Sequence, residues 1–204
     1  MNPSHTINLD SLSGLESHNV KTELANYRDK PALRVIEQNQ ESSKTHPLVI
    51  IPNVKFKDGI IETEIAGSPQ AGASAGMRGF VGIAFRVQLH GSKFECFYLR
   101  PTNGRADDQL RRNHATQYIS YPDYPWHKLR EENPGVYESY VDLVSGEWTK
   151  IKITVSGTKA QLYVHDAKQP SLIVNDLKLG ESEGQIALWV GAGTDAHFSS
   201  LVVK

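Results

Sequence analysis

The segment between residues 148 and 165 alternates apolar and polar residues on both sides of a short turn. Apolar side chains occupy every second position around Ser156-Gly157-Thr158: Ile151, Ile153 and Val155 before it, and Ala160, Leu162 and Val164 after it. Because successive side chains of a strand point to opposite faces, this pattern predicts a β-hairpin with one apolar face. Such a face must be covered by a second layer, so the segment predicts two packed β-sheets.

Similar short runs follow one another from residue 59 onward. They are rich in Val, Ile, Tyr and Phe and are separated by Gly, Pro, Asn and Asp. The predicted strands are 59–65, 79–87, 94–100, 116–121, 137–143, 148–155, 159–165, 184–191 and 198–203, of which the last two are expected to form a second hairpin. No segment has a capped 3.6-residue apolar period. The chain is therefore predicted to be all-β, a two-sheet antiparallel sandwich, with residues 1–204 forming a single domain.

The charge balance argues against partners that require a strong electrostatic field. Twenty-two Lys and Arg against 23 Asp and Glu leave a formal net charge of −1, so neither nucleic acid nor a membrane surface is expected as a partner. The start Met1-Asn2-Pro3-Ser4-His5 lacks the segments of a signal peptide, and a cytoplasmic location is expected unless a signal was removed. The single cysteine, Cys96, lies in the apolar run 94–99 and is expected to be buried and unreactive. The sequence does not indicate an oligomeric state.

Four motifs carry a resemblance to a known family. They are Phe56–Ile65, the block Gly146-Glu147-Trp148 with the two strands after it, Gly184-Gln185-Ile186-Ala187-Leu188, and the closing Phe198-Ser199-Ser200-Leu201. Together they resemble concanavalin A-like lectin and glucanase domains, including the laminin G-like and 3-keto-disaccharide hydrolase-like members. The resemblance implies a jelly-roll sandwich and covers most of the predicted strands. The E-x-D-x-x-E motif of the retaining β-glucanases in this superfamily does not occur.

The same resemblance implies a carbohydrate-active protein with a saccharide ligand in the concave groove of one sheet. The superfamily contains lectins, glycosidases, polysaccharide lyases and adhesive modules, so the fold alone does not select a function. The first expectation is a glycoside hydrolase-like enzyme. The alternatives are a non-catalytic, lectin-like glycan-binding module, a polysaccharide lyase acting on uronic glycans, and a structural or adhesion domain.

Strand alternation assigns side chains to the core or to this groove. If the odd-numbered residues of the 79–87 strand face the core, Arg86 faces the groove, and the same reasoning places Tyr98, Arg100 and Trp189 on the groove floor. Alternatively, the two arginines pair with surface carboxylates. The residues expected in the core are Val81, Ile83, Phe85, Ile151, Ile153, Leu162, Val164, Ile186 and Leu188.

Residues 100–114 form the densest polar cluster, and aromatic residues interrupted by Pro122 and Pro125 follow in 117–127. Guanidinium groups form bidentate hydrogen bonds that suit sugar hydroxyls and uronic carboxylates, and rings on a stiff loop provide flat surfaces for sugars. The alternatives are a solvated loop held by Arg–Asp pairs and aromatics that cover the sandwich edge. The candidate substrate-binding residues are Arg86, Tyr98, Arg100, Arg105, Arg111, Gln117, Tyr118, Trp126 and Trp189.

Asp107 and His114 are the candidate catalytic residues. Glycoside hydrolysis normally uses paired carboxyl groups, for which Asp107 has Asp108 as a neighbour. In a lyase, His114 and Tyr118 would act as base and acid while Arg100 or Gln117 neutralised a uronate carboxylate.

Metal binding has little support in the sequence. The eight histidines are scattered and form neither H-x-H nor H-E-x-x-H, so a transition-metal site is not expected. A calcium ion held by Asn103, Asp107 or Asp108 stays open, and no cofactor is indicated.

Overall fold

Strands make up most of the regular structure in the computed structural model, which describes residues 4–38 and 46–204. The strands are β1 (His5–Asn8), β2 (Glu16–His18), β3 (Val20–Tyr27), β4 (Lys30–Glu37), β5 (Leu48–Phe56), β6 (Gly59–Pro69), β7 (Val81–Val87), β8 (Phe94–Leu99), β9 (Thr116–Tyr121), β10 (Glu138–Ser139), β11 (Thr149–Ser156), β12 (Lys159–Val164), β13 (Leu172–Val174), β14 (Gly184–Val190) and β15 (Thr194–Val203). Two short α-helices, α1 (Gln109–Asn113) and α2 (Trp126–Glu132), also lie within these residues. The all-β prediction is confirmed.

The described strands form two antiparallel sheets that make an open sandwich. The eight-stranded sheet has the order β13-β12-β11-β6-β15-β4-β3, and β1 pairs with residues 200–203 of β15. The seven-stranded sheet has the order β10-β9-β8-β7-β14-β5-β2. Since β5 and β7 belong to one sheet and β6 to the other, the chain crosses repeatedly between the layers, as it does in a jelly roll.

The core between the sheets contains every residue predicted to lie there. Each of these nine side chains is at most 1% exposed: Val81, Ile83, Phe85, Ile151, Ile153, Leu162, Val164, Ile186 and Leu188. Removing one such side chain from water stabilises a fold by about 2 kcal/mol before chain entropy is counted. Cys96 is also buried, and burial raises the pKa of its thiol, which keeps it protonated.

One of the two predicted hairpins is present and the other is wrong. β11 and β12 pair around the turn with Ile153 opposite Leu162. In contrast, β14 pairs with β5 and β7, whereas β15 lies in the other sheet between β6 and β4. Apolar alternation shows which face of a strand is buried but does not identify its neighbours. Residues 191–193 therefore carry the chain across the sandwich, and they do not close a hairpin.

The five strands before residue 59 were not predicted from the sequence. β3 and β4 form a hairpin whose turn residues, Arg28 and Asp29, have φ values of 48° and 63°. Turns of this kind are usually signalled by Asn-Gly or Asp-Gly, and Arg-Asp gives no such signal.

The predicted strand 137–143 is shorter in the structure, where only Glu138 and Ser139 pair with β9. Beyond Ser139 the chain leaves the sheet, and the buried Leu143 packs under the turn at Gly104. A Cβ atom at position 104 would lie 2.3 Å from the backbone nitrogen of Leu143, so this close approach requires glycine.

Across residues 4–38 and 46–204, no helix has the length and apolar character required to cross a membrane.

Candidate functional site

The outer face of the seven-stranded sheet carries a stacked pair of aromatic side chains, Tyr98 and Trp189. β8 and β14 flank β7, and their registers place both residues opposite Gly82. The ring centroids are 4.5 Å apart, with 28° between the ring planes. A Cβ atom on Gly82 would lie 2.6 Å from Cβ of Tyr98, so a larger residue there would displace the tyrosine. The glycine therefore allows the two rings to meet.

A cavity of about 380 Å³ borders this pair, and we call it the aromatic cavity. Its volume lies in the range typical of small-molecule sites. Rings contribute much of its wall: His46, Phe80, Tyr98, Tyr121, Trp126 and Trp189. Nε1 of Trp189 is buried and has no hydrogen-bond acceptor among the described residues. The cavity wall thus includes flat ring surfaces and a tryptophan whose N–H has no acceptor among the described residues.

His46 closes one side of the aromatic cavity as a neutral ring. It meets Phe94 and Tyr121 edge-on, with centroid distances of 5.6 and 4.5 Å. Burial lowers the pKa of His46 to about 4, because the charged form loses its hydration. At neutral pH this imidazole is therefore an uncharged part of the wall.

Arg100 follows β8 and supports the stacked pair from below. Its Nη2 donates hydrogen bonds of 2.9 Å to the hydroxyl of Tyr98 and to Oε1 of Gln117, and its Nη1 donates to the carbonyl of His114 at 3.1 Å. The guanidinium carbon lies 5.0 Å from the centroid of the Tyr98 ring. The residue is 5% exposed. These contacts fix the orientation of Tyr98.

A second cavity of about 280 Å³ adjoins the first, since Phe80 and Trp126 belong to both walls. We call it the arginine pocket because four arginines line it together with Asn103 and His114: Arg78, Arg100, Arg111 and Arg130. Trp126 stands between the cavities, with the guanidinium carbons of Arg130 and Arg100 at 4.7 and 5.9 Å from its ring.

A buried carboxylate, Glu138, holds two side chains of the arginine pocket. It accepts hydrogen bonds from Nε and Nη2 of Arg130 at 2.8 and 3.1 Å and lies 3.0 Å from Nε2 of His114. Burial lowers the pKa of His114 although Glu138 acts in the opposite direction. A neutral His114 donates its Nε2 proton to Glu138, which leaves Nδ1 as an acceptor.

Comparisons with known proteins identify the fold. Neither a protein-family model nor a curated protein sequence matches the chain. Among solved structures, the carbohydrate-binding module CBM66 from Bacillus subtilis is similar over 94% of this chain and 96% of its own, with 14% identity and a TM-score of 0.59. A β-1,3-1,4-glucanase (lichenase) derived from a mouse hindgut metagenome is similar over 98% of both chains, with 12% identity and a TM-score of 0.57. The fold is a concanavalin A-like jelly roll.

A third jelly roll, a protein with a galectin-like fold from Bacillus subtilis, covers 98% of this chain and 94% of its own, with 11% identity and a TM-score of 0.59. These likenesses confirm the fold that the sequence resemblance implied. At such identities they concern the fold alone. The likeness to 3-keto-disaccharide hydrolase-like domains stays a prediction.

Arg86 does not line the groove of the jelly roll, contrary to the prediction from strand alternation. Its φ is 52°, and the register between β7 and β14 shifts beside it, so this bulge turns the side chain to one end of the sandwich. There it is fully buried and donates hydrogen bonds of 2.6–3.1 Å to the Asp58 carboxylate and to the carbonyls of Lys57, Gly157 and Gly180. Arg86 connects three turns of the fold.

Tyr118 and Gln117 are also buried and make contacts within the protein. Tyr118 lies opposite Phe97 on the core face, where its hydroxyl donates to Oε2 of Glu95 at 2.5 Å. This position excludes the predicted acid role beside His114. Gln117 accepts from Arg100 and donates through Nε2 to the carbonyls of Tyr118 and Tyr137 at 2.8 and 3.2 Å. Gln117 therefore orients Arg100.

Arg105 and Asp107 lie outside both cavities. Arg105 is exposed and forms a bidentate ion pair with Asp142 at 2.7 and 2.8 Å. Asp107 is exposed as well, and its neighbour Asp108 caps α1 by accepting from the backbone N–H of Arg111 at 3.0 Å. Within residues 4–38 and 46–204, no group of three or more His, Cys, Asp or Glu side chains is placed to hold a metal ion.

The remaining predicted residues do border the cavities. Tyr98, Trp126 and Trp189 line the aromatic cavity, whereas Arg100, Arg111, His114 and Trp126 line the arginine pocket. Their roles in binding or catalysis stay predictions.

Four residues of the cavity walls were not predicted from the sequence: Arg78, Arg130, His46 and Phe80. Arg78 precedes the predicted strand 79–87, so strand alternation assigned its side chain to neither face. Arg130 was missed because the helix that places it one turn after Trp126 was not recognised.

Proposed function

We propose that the protein binds a saccharide in the aromatic cavity. The observation that carries this proposal is the stacked pair of Tyr98 and Trp189, which forms the cavity wall while Nε1 of Trp189 has no acceptor among the described residues. Aromatic rings offer flat apolar surfaces for the C–H faces of a sugar, and a buried indole N–H gains from donating to a hydroxyl. The carbohydrate-binding module and the glucanase among the structural neighbours support this proposal.

Binding has more direct support than hydrolysis. In the part of the chain that the structure describes, the walls of the two cavities contain one carboxylate, Glu37, which accepts a hydrogen bond from the Gly193 amide at 3.0 Å. Glycoside hydrolysis uses two carboxyl groups about 5–10 Å apart on either side of the scissile bond. The described geometry therefore favours a glycan-binding module over the glycoside hydrolase that was first expected.

One observation supports an enzyme as the second candidate. His114 is neutral, lines the arginine pocket and is oriented through Nε2 by Glu138, which is the arrangement of a general base held by a carboxylate. With arginines beside it to bind an acidic sugar, this arrangement fits a polysaccharide lyase better than a hydrolase.

The test uses Trp126→Ala, because this ring is 44% exposed and its removal should leave the fold intact. We expect the variant to bind the polysaccharide that the wild-type protein prefers at least ten-fold more weakly than wild type does, which corresponds to about 1.4 kcal/mol. Affinity would be measured by calorimetry after wild-type protein has been screened against neutral and acidic polysaccharides. The matched control is Tyr163→Ala, which removes a partly exposed ring from the outer face of the eight-stranded sheet.

Equal loss of affinity in both variants, or unchanged affinity in Trp126→Ala, would contradict the proposed site. If the wild-type protein bound none of the polysaccharides, the proposed saccharide-binding function would be contradicted. Mass spectrometry of the same mixtures separates the two candidates. A binding module leaves the oligosaccharides intact, whereas an enzyme cleaves them and His114→Ala abolishes cleavage without abolishing binding.

A further inference from the structure

The arginine pocket concentrates positive charge in a protein whose overall charge is close to neutral. Its four arginines come from separate parts of the chain: the loop before β7, the end of β8, helix α1 and helix α2. The carboxylate of Glu138 forms an ion pair with Arg130 and accepts a hydrogen bond from the neutral His114. Among the described residues, no carboxylate forms a salt bridge with Arg78, Arg100 or Arg111.

Neutral groups hold these three arginines instead. Arg100 donates to a hydroxyl, an amide oxygen and a carbonyl, as described above. Arg78 donates through Nη1 to the carbonyls of Ala75 and Met77 at 2.6 and 3.2 Å. Such acceptors orient a guanidinium but do not neutralise its charge. The arginine pocket therefore keeps an excess of positive charge.

Two of the arginines retain donors for a ligand. Nε and Nη2 of Arg78 form no hydrogen bond with the described residues. The contacts of Arg111 are long, 3.4 Å from Nε and Nη2 to Oδ1 of Asn103 and 3.5 Å from Nη2 to the Thr102 carbonyl. Contacts of that length are weak and easily replaced by shorter ones. Each guanidinium can thus present a fork of N–H groups to an oxyanion.

The arrangement has an electrostatic cost that an anion would remove. Burial and the positive charges of Arg111 and Arg100 lower the pKa of Arg78. Like charges at close range repel one another, and a bound anion converts this repulsion into attraction. Because Phe80 and Trp126 line both cavities, a group in the arginine pocket lies next to a ring in the aromatic cavity.

We infer that the arginine pocket binds an anionic substituent, a carboxylate or a sulfate ester, carried by the saccharide that occupies the aromatic cavity. Arg78 and Arg111 supply the principal new hydrogen bonds, and Arg100 and Arg130 contribute charge from positions fixed by Tyr98 and Glu138. The inference rests on the proposed saccharide binding and assigns the class of glycan: acidic, not neutral.

The experiment compares glycans that differ only at C6. Neutral gluco-, manno- and galacto-oligosaccharides would be titrated beside their C6-carboxylate counterparts and a 6-O-sulfated gluco-oligosaccharide, by calorimetry at low salt. We expect at least one carboxylate or sulfate probe to bind ten-fold or more tightly than its neutral counterpart. The carboxylate and sulfate arms show which anion is preferred.

Two charge-removing variants locate the effect. Arg111→Gln and Arg78→Gln should each weaken binding of the acidic probe about ten-fold while changing the affinity for its neutral counterpart less than two-fold. The control Arg28→Gln removes an exposed arginine paired with Glu147 and should change neither affinity. Raising the salt concentration should weaken binding of the acidic probe and have little effect on the neutral one.

The outcomes separate this inference from the function on which it rests. Equal affinities for acidic and neutral probes, or equal losses for both in Arg111→Gln, would overturn the inference and leave saccharide binding standing. Failure of every saccharide to bind would refute the proposed function and the inference together. An acidic preference that persists in both variants would also overturn the inference, because the preference would then arise elsewhere.

Discussion

Replacing Arg86 with alanine should destabilise the protein without affecting its ligand site. The guanidinium is fully buried and donates to an aspartate and to three backbone carbonyls in separate turns. Without it, each of these four acceptors loses its hydrogen bond from Arg86. Asp58 is 45% exposed and can be solvated by water. Most of the lost free energy of unfolding should therefore come from the hydrogen bonds to the carbonyls of Lys57, Gly157 and Gly180.

The magnitude follows from these contacts. Each of the three hydrogen bonds from this charged group to a carbonyl contributes about 1–1.5 kcal/mol, so their loss costs about 3–5 kcal/mol in all. For a domain of this size, 1 kcal/mol corresponds to about 2–4 °C in Tm. We therefore expect Arg86→Ala to lower Tm by about 10 °C.

Calorimetry and urea unfolding would measure this loss beside that of Arg105→Ala, which breaks an exposed ion pair with Asp142 and should leave the Tm nearly unchanged. A Tm within 2 °C of wild type would refute the assignment of Arg86 as the residue that connects the three turns. If the folded Arg86→Ala variant lost saccharide binding, Arg86 would instead be part of the ligand site.

Two further predictions concern pH and have opposite signs. His46 has a pKa of about 4 in the folded protein against 6.5 when unperturbed, so stability should fall by about 3 kcal/mol as the pH drops from 7 to 4. The free energy of unfolding, measured with urea between pH 7 and 4, should fall steeply in the wild-type protein and less steeply in His46→Phe. An equal decline in both proteins would contradict this role of His46. Burial raises the pKa of Glu95 above 4.5, so its contribution to stability is present at low pH and is lost as the pH rises through the folded-state pKa. Glu95→Gln should flatten that decline, and an unchanged decline would show that another group causes it.

The fold could be predicted from the sequence because its main signal is local. Apolar residues at alternate positions, such as Ile151 and Ile153, report directly which face of a strand is buried. Strand partners depend on contacts between distant segments, so the positions of β14 and β15 in different sheets could not be inferred from their own residues. The β3–β4 hairpin was missed for a local reason, since its turn residues carry no glycine or asparagine.

The candidate site could be predicted only in part. Tyr98 and Trp189 were placed on the groove face because their strands keep a regular alternation up to those residues. The same reasoning failed at Arg86, where one residue of positive φ interrupts the alternation of β7. Arg78 and Arg130 meet in one pocket although they are far apart in the chain, and no local pattern reports such a meeting.

Arg100 has a consequence for how the two cavities would share a ligand. It holds the hydroxyl of Tyr98 and also lines the arginine pocket, so a shift of its guanidinium toward an anion acts on the tyrosine. If an anion in the arginine pocket raises the affinity of the aromatic cavity for a sugar by some factor, a sugar in the aromatic cavity must raise the affinity of the arginine pocket for the anion by the same factor. Once the sugar ring is bound in the aromatic cavity, an acidic group attached to that sugar is present at a high effective concentration near the arginine pocket. The separate fragments, a neutral sugar and a free anion, should therefore bind far less well than the intact acidic glycan.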